Sequence, residues 1–307
     1  MQLPYIRLYQ DGIIKQRIRE AYAILERCRV CPRECGVNRL KGEQGFCRSG
    51  LLPSVSSCNS HHGEEPPISG YRGSGTIFLA NCNLRCVFCQ NYPISQLGVG
   101  NEVTIEELAK MMLKLQKNGC HNINFVTPTH FTPQILKAVD LAIGDGLNIP
   151  LLWNTNGYDS VEMLLLLDGI ISIYLPDAKY MDPQMAQKYS NAPLNYPEIN
   201  LAAIREMWRQ AGSLVVDEEG IAQKGMIVRH LVLPEGIANT KDVLRVLAQE
   251  ISKNMYISLM SQYFPANKAT SYPEINRKIS RQEYDEALKC LDVEGLHEGW
   301  IQPYQKR

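Results

Sequence analysis

The sequence predicts an α/β protein built on a parallel sheet covered on both faces, preceded by a cysteine-rich segment. Three observations carry this expectation. Six apolar runs recur from residue 76 onward, at 76–80, 122–127, 150–156, 170–177, 225–232 and 255–262. Each is nearly continuous rather than alternating, as strands buried on both sides are. Helical patterns with their own start and stop signals stand between them. Such β-then-α units, joined by right-handed crossovers, form either a doubly wound sheet or a partial barrel, and periodicity alone leaves both open.

Taken in order, the elements begin with a helix over 12–27, where Ile14, Ile18, Tyr22 and Leu25 fall at helical spacing. Its basic run "KQRIRE" (15–20) reads as a wet face. Residues 28–75 contain "CRVCPRECG", "GEQGFC" and "GEEPPISGYRGSG", and read as irregular structure held by an internal staple. Beyond the first strand, Thr104 with Glu107 forms a capping box and Gly119 closes the helix. Thr132 before Pro133 supplies N-cap and N1 chemistry. Asp159 with Glu162 and Ser280 with Glu283 repeat the box, and Asp182 before Pro183 starts a short helix. The greasiest stretch, 163–176, is interrupted by Asp168 and Gly169 and is too short to span a bilayer, so it reads as a helix end and a buried strand.

Acidic and basic residues balance at 32 each, which calls for neither a nucleic-acid nor a membrane partner. The first residues lack the apolar core of a signal peptide, so the expected location is cytoplasmic, where thiols stay reduced. Ten cysteines then favour metal binding or redox chemistry over disulfides.

Three of them lie in "NCNLRCVFCQN" (81–91), directly after the first apolar strand. Ligands gather at the carboxyl ends of strands in α/β sheets and barrels. Cys82, Cys86 and Cys89, spaced Cys-x3-Cys-x2-Cys, can therefore curl around three corners of an iron–sulfur cubane at a cofactor position. Three ligands to four irons leave one iron open to a small molecule. The competing reading closes the triplet with a distant cysteine, around zinc or an electron-transfer cluster.

With Phe88 at the aromatic position, the loop resembles the Cys-x3-Cys-x-aromatic-Cys motif of the radical SAM superfamily. The resemblance covers roughly 76–265 and is closest to pyruvate formate-lyase activating enzyme and an activase-like branch beside it. It implies a partial (βα)6 TIM-type barrel and a 4Fe–4S cluster whose open iron chelates S-adenosylmethionine. It further implies reductive cleavage to a 5′-deoxyadenosyl radical that abstracts hydrogen from a protein or other substrate. A reductant such as flavodoxin or ferredoxin is implied as partner. Where many members carry Gly-Gly-Glu-Pro, this chain has Thr127-Pro128-Thr129-His130, whose Thr127 and Thr129 could still accept from an ammonium. "GEEP" at 63–66 looks similar, but precedes the first strand and is not assigned that role. "NTNG" (154–157) resembles Asp-Thr-Asn-Gly, with Asn154 in place of the acid and Asn156 toward the ribose or methionine. Asp177 and Lys179 resemble Asp-Leu-Lys, whose lysine pairs with the cofactor carboxylate. Arg229 fits a cofactor-facing arginine, and Gln262 or Tyr263 faces the adenosyl group. His130 and His230 receive no acid–base role.

A second group, Cys28, Cys31, Cys35 and Cys47, reads Cys-x2-Cys-x3-Cys-x11-Cys and suggests either tetrahedral zinc or an auxiliary iron–sulfur cluster. Cys58 is a substitute ligand, whereas Cys120 and Cys290 read as small core residues. Glycyl-radical activases often hold extra clusters after the first strand, and this chain has no cysteine from 90 to 119. The expected organisation is a helix and metal-binding segment over 1–75, the barrel over 76–265 and a helical extension over 266–307. The rival to a radical enzyme is a non-catalytic iron–sulfur or zinc protein for electron transfer or scaffolding.

Overall fold

The computed structural model describes residues 3–304. Helices α1 (Pro4–Gln10) and α2 (Ile13–Ala23) meet at Gly12, whose φ of +73° turns the chain between them. The single opening helix expected over 12–27 is thus shorter, and its last turn tightens to a 3₁₀ helix at Ile24–Arg27. The expectation of irregular structure over 28–75 also needs correction, because β1 (Ser54–His61) lies within it. This polar strand has no apolar run. It is held by antiparallel pairing with β2 (Ser74–Leu79), with Cys58 opposite Ile77. The short helix α3 (Pro66–Ser69) connects the two.

After β2 come α4 (Tyr92–Ser95), β3 (Asn101–Glu102), α5 (Ile105–Lys117), β4 (Ile123–Val126), α6 (Thr132–Gly144), β5 (Leu151–Thr155), α7 (Val161–Leu167) and β6 (Ile173–Pro176). There follow α8 (Pro183–Ser190), α9 (Tyr196–Ala211), β7 (Val215–Val216), β8 (Ala222–Leu231), α10 (Thr240–Glu250), β9 (Tyr256–Met260), α11 (Arg281–Glu294) and β10 (Gly299–Ile301). All six apolar runs are strands. β2, β4, β5, β6, β8 and β9 are parallel neighbours in that order, which is the expected α/β architecture. β1 and β3 extend one end of the sheet and β10 the other, so the strand path stays open.

The two faces of the sheet bury different things. Phe125 and Trp153, paired across β4 and β5, belong to the large core shared with the helices. Their neighbours one residue along point the other way. Leu152, Ile173, Leu175 and Ile227 make a second, smaller apolar cluster on the inner face, into which α3 inserts Ile68. The helices start largely as their caps dictate. Both reciprocal bonds of the capping box are present at Thr104/Glu107 and at Ser280/Glu283, and Asp182 accepts from Gln184 and Met185. Each such cap contributes about 1 kcal/mol.

Two caps differ from expectation. Thr132 is already helical and its hydroxyl bonds back to Thr129, because a 3₁₀ turn at Thr129–Phe131 feeds α6 and leaves Phe131 at the N-cap. Ser160, not Asp159, stands at the N-cap of α7, and its side chain makes no capping bond. The Asp159 side chain is drawn instead into the core, where three donors satisfy it. Among the described residues, no helix is long and apolar enough to cross a membrane.

Candidate functional site

The chain leaves β2 through Asn81, at φ +70°, and enters the three-cysteine loop. The loop's backbone is pinned on several sides. Arg85 N–H donates to the Ser190 carbonyl and Val87 N–H to Tyr189 at 2.8 Å. Asn83 Nδ2 donates to the Tyr158 carbonyl at 2.7 Å. Phe88 is buried with its edge against Tyr263, ring centroids 5.9 Å apart, which gives the motif's aromatic position a packing role.

The thiols are met by donors. Asn156 Nδ2 lies 3.2 Å from Cys82 Sγ and the Leu84 amide 3.4 Å from the same sulfur. Ser95 Oγ lies 3.2 Å from Cys89 Sγ. Burial, with a smaller contribution from the neighbouring sulfurs, pushes the Cys82 thiol up to about 12 and Cys89 also upward. Such thiols stay protonated until a metal ionises them, and N–H donors then stabilise the thiolate charge. The donor set therefore fits an iron–sulfur cluster. Among the described residues no three His, Cys, Asp or Glu side chains converge on a single ion. A cluster sets a different requirement, since each thiolate binds its own iron.

The strand ends place the other expected residues as follows. Lys179 Nζ and Asp177 Oδ2 form an ion pair at 2.5 Å, both side chains mostly buried. Burial disfavours the Lys179 ammonium, but Asp177 and the nearby Cys86 sulfur more than offset this and hold it protonated. This cation therefore faces the cysteine loop. Thr127 sits at φ +58°, a strained setting for a β-branched residue, with its amide on the Asn154 carbonyl. Thr129 is buried, and its hydroxyl is taken by Asp159 at 2.8 Å and Thr155 at 3.1 Å. Asn156 is tied to the loop, donating also to Asn83 Oδ1 at 2.7 Å. The Gln262 side chain is exposed and accepts from Gln302 at 3.0 Å, while its carbonyl accepts from Gln90. Gly157 is required where it stands. Its φ is +76°, and a Cβ there would lie 2.2 Å from the Asp177 carbonyl oxygen.

Arg229 brings in the segment that sequence reasoning set aside. Its Nε donates to Glu65 Oε1 at 2.7 Å and its Nη2 to Glu65 Oε2 at 2.6 Å, while Nη2 also pairs with Glu64. Asn124 Nδ2 donates to Glu64 Oε1 at 3.0 Å. Asn124 is level with Leu152 in the ladder and so shares the inner face. The "GEEP" carboxylates thus lie against the inner face of the sheet beside Asn154, whose Oδ1 is 3.5 Å from Arg229 Nη1. Burial raises the Glu65 carboxyl, but the Arg229 guanidinium outweighs it and holds the group below the usual carboxylate range. No local pattern announces this contact, because 164 residues separate Glu65 from Arg229.

The second cysteine group is also brought together. Cys28, Cys31, Cys35 and Cys47 line one small cavity of about 10 Å³ with Arg39 and His130. Gly45 admits the close approach, since a Cβ there would fall 2.8 Å from Cys35 Sγ. His130 is buried and pushed down to about 3 by that burial, so its ring is neutral. Nε2 donates to the Ala80 carbonyl at 2.9 Å, and Nδ1 is left without a partner. This orphaned acceptor fits a site that takes a ligand. His230 instead spans Ala178 and Thr240 as a structural link. Cys120 is buried and Cys290 half-buried, both packed with the core.

A parallel α/β sheet with three thiols and a buried lysine at its strand ends defines a cofactor-dependent enzyme domain. The Radical SAM superfamily profile matches residues 76–213, and the chain belongs to that superfamily. It is 32% identical over 305 residues to uncharacterized protein MJ0674 of Methanocaldococcus jannaschii, an alignment covering 96% of this chain and 82% of that one. Uncharacterized protein MJ0808 of the same organism is 28% identical over 158 residues, 46% of each chain. Among solved structures, the FeFe-hydrogenase maturase HydG from Carboxydothermus hydrogenoformans shares the fold, with a TM-score of 0.51 at 11% identity. That match covers 74% of this chain and only 53% of the maturase. Membership implies a radical SAM enzyme that uses a 4Fe–4S cluster and S-adenosylmethionine.

Proposed function

We propose that Cys82, Cys86 and Cys89 hold the 4Fe–4S cluster through three thiolates, and that S-adenosylmethionine binds at the fourth iron. The observation that carries this reading is the pinned loop itself, with amide and amido donors on Cys82 and the Lys179 ammonium facing it. When bound, the cluster supplies one electron that cleaves the sulfonium and yields a 5′-deoxyadenosyl radical. Lys179 neutralises the cofactor carboxylate, and Asp177 holds the lysine charged and aimed. Thr127 and Asn154, at adjacent strand ends, offer carbonyl and side-chain acceptors to its ammonium, and Gln262 stands at the β9 end. Asn156 serves the cofactor by orienting Cys82 rather than by touching the ribose, and Thr129 by fixing Asp159.

The radical abstracts hydrogen from a protein or other substrate on the inner face of the sheet. Glycyl-radical activation is one version of this activity, and modification of another substrate the other. The lack of cysteines over 90–119 favours the latter. Cys28, Cys31, Cys35 and Cys47 form a second metal centre with His130 on its wall; of the two expected occupants, zinc and an auxiliary cluster, the cluster suits the site better, since no three ligating side chains among the described residues converge on one ion. Residues 76–265 act as the catalytic unit, 1–75 as its metal-bearing cover and 266–307 as an extension.

The test is anaerobic reconstitution followed by dithionite and S-adenosylmethionine. The expected product is 5′-deoxyadenosine, and its absence from a fully iron-loaded protein would contradict the reading. Lys179→Ala is expected to retain cluster iron while weakening S-adenosylmethionine binding about tenfold or more, as loss of a buried charge partner does. Equilibrium binding checks it, and unchanged affinity removes Lys179 from the site.

A further inference from the structure

His130 stands on the 3₁₀ turn at Thr129–Phe131 that follows β4, and its side chain is buried at 1% exposure. The turn is held from two directions. Thr129 is bonded to Asp159 and Thr155, and the His130 carbonyl accepts from Arg39 Nη1 at 2.7 Å. The imidazole therefore has little freedom to turn away from where it points. The Ala80 carbonyl, 2.9 Å from Nε2, can only accept, so it fixes the ring proton on that nitrogen. Nδ1 is left with a bare lone pair, buried and without a partner among the described residues. Buried acceptors are normally met. The ring also lines the cavity shared by Cys28, Cys31, Cys35 and Cys47. A histidine that gives one ring N–H to a backbone carbonyl and offers its other nitrogen beside thiols has the arrangement of a metal ligand.

The cavity thus presents five ligating side chains to a cubane that has four irons. Cys28, Cys31 and Cys47 are buried, as His130 is, whereas Cys35 is exposed. Arg39 is buried on the same cavity wall. Its guanidinium is spent on the Gly50 and His130 carbonyls, which orient the charge without neutralising it. Among the described residues no carboxylate lies within ion-pair distance of Arg39. An anionic metal centre is the counter-charge that this buried cation lacks.

We propose that His130 Nδ1 is a ligand of the second centre. With Cys28, Cys31 and Cys47 it completes a buried set of four, and Cys35 stays at the rim. The inference rests on the reading of that centre as an iron–sulfur cluster and refines its ligand set at one position. Imidazole is neutral where a thiolate is anionic, so the cluster carries less negative charge and is reduced more easily than an all-cysteine one.

The experiment uses the reconstituted wild-type protein, grown with ¹⁵N-labelled histidine and reduced by dithionite with no S-adenosylmethionine added. Pulsed EPR is expected to show a histidine nitrogen coupled strongly enough for a direct bond to iron. In His130→Cys that coupling should vanish, while a second cluster remains and its midpoint potential falls. Cys47→Ala should lose the iron of the second centre, and Cys35→Ala should keep both the iron and the coupling. A second cluster with no histidine coupling, or with one only of hydrogen-bond size, overturns the proposal, and this readout on the wild type needs no variant to fold. Loss of the second cluster in Cys35→Ala as complete as in Cys47→Ala also overturns it. Iron and sulfide that fill the three-cysteine site alone overturn the parent reading of a second cluster, and this one with it.

Discussion

Cys86→Ala is expected to abolish iron–sulfur absorbance from the three-cysteine site and with it 5′-deoxyadenosine formation. Cys86 lies at the centre of the loop, within electrostatic reach of Lys179 and Tyr180. In the proposed ligand set, removing one thiolate leaves two for a cluster that has no fourth protein ligand. The loss should exceed the roughly 10–100-fold that changes outside the ligand set produce. Cys290→Ala is the control. That thiol, carried on α11, packs against the core, and its removal should leave iron content and turnover as they are. Iron analysis and product formation on both variants check this together, and equal losses from the two substitutions would contradict the assignment. A metal at the proposed second cysteine site would persist in the Cys86 variant, so iron is to be resolved by spectrum as well as by amount.

The second large effect concerns stability. Arg229→Ala is expected to destabilise the protein by about 3–5 kcal/mol, the usual result of stripping the partner from buried charges. Side-chain exposure is 15% for Arg229, 7% for Glu64 and 5% for Glu65, so water screens little of the loss. Replacing the three together, Glu64→Gln, Glu65→Gln and Arg229→Met, should recover much of it, since no buried charge is then left unpaired. Chemical denaturation of the apoprotein measures both.

A pH dependence follows from the same triad. The folded Glu65 carboxyl is held below its unfolded value of about 4.3. Its contribution is therefore complete above that value and is lost as pH falls through the lower, folded one. The neutral triple variant should lose less stability than the wild type between about pH 4.3 and acid unfolding. Parallel acid titrations of the two proteins would remove Glu65 as the cause.

What was legible in the sequence was what local chemistry dictates. The six apolar runs are strands because each is long and greasy enough to be buried whatever surrounds it. The Thr104 and Ser280 boxes close because a hydroxyl and a carboxylate three residues apart need nothing else. Where a side chain had two uses, the local reading failed. Asp159 fits a capping box, but Thr129, Thr155 and Trp153 converge on it from elsewhere, and three donors outweigh one helix end. Strand β1 was missed because its Ser, Asn and His residues carry no apolar signature, and its pairing with β2 supplies what the side chains do not.

The site divides in the same way. The cysteine triplet announces itself in eight residues, and Lys179 through its resemblance to Asp-Leu-Lys. That Asn156 would bond a cysteine sulfur depends on two strand ends meeting 74 residues apart. "GEEP" was set aside for preceding the first strand. The reversal of the chain between β1 and β2 nevertheless delivers Glu64 and Glu65 to the inner face, where Arg229 meets them. Chain order fixed its place in the list of elements but not its place in space.

The most direct measurement is the EPR spectrum of the dithionite-reduced, reconstituted protein before and after S-adenosylmethionine is added. A cluster with one bare iron coordinates the cofactor's amino and carboxylate groups, so the signal should change shape and g-values on addition, and this cofactor-responsive signal should be lost in Cys86→Ala. A reduced cluster whose spectrum ignores the cofactor would mean that all four irons are already capped by the protein, and the triplet would then be an ordinary electron-transfer site.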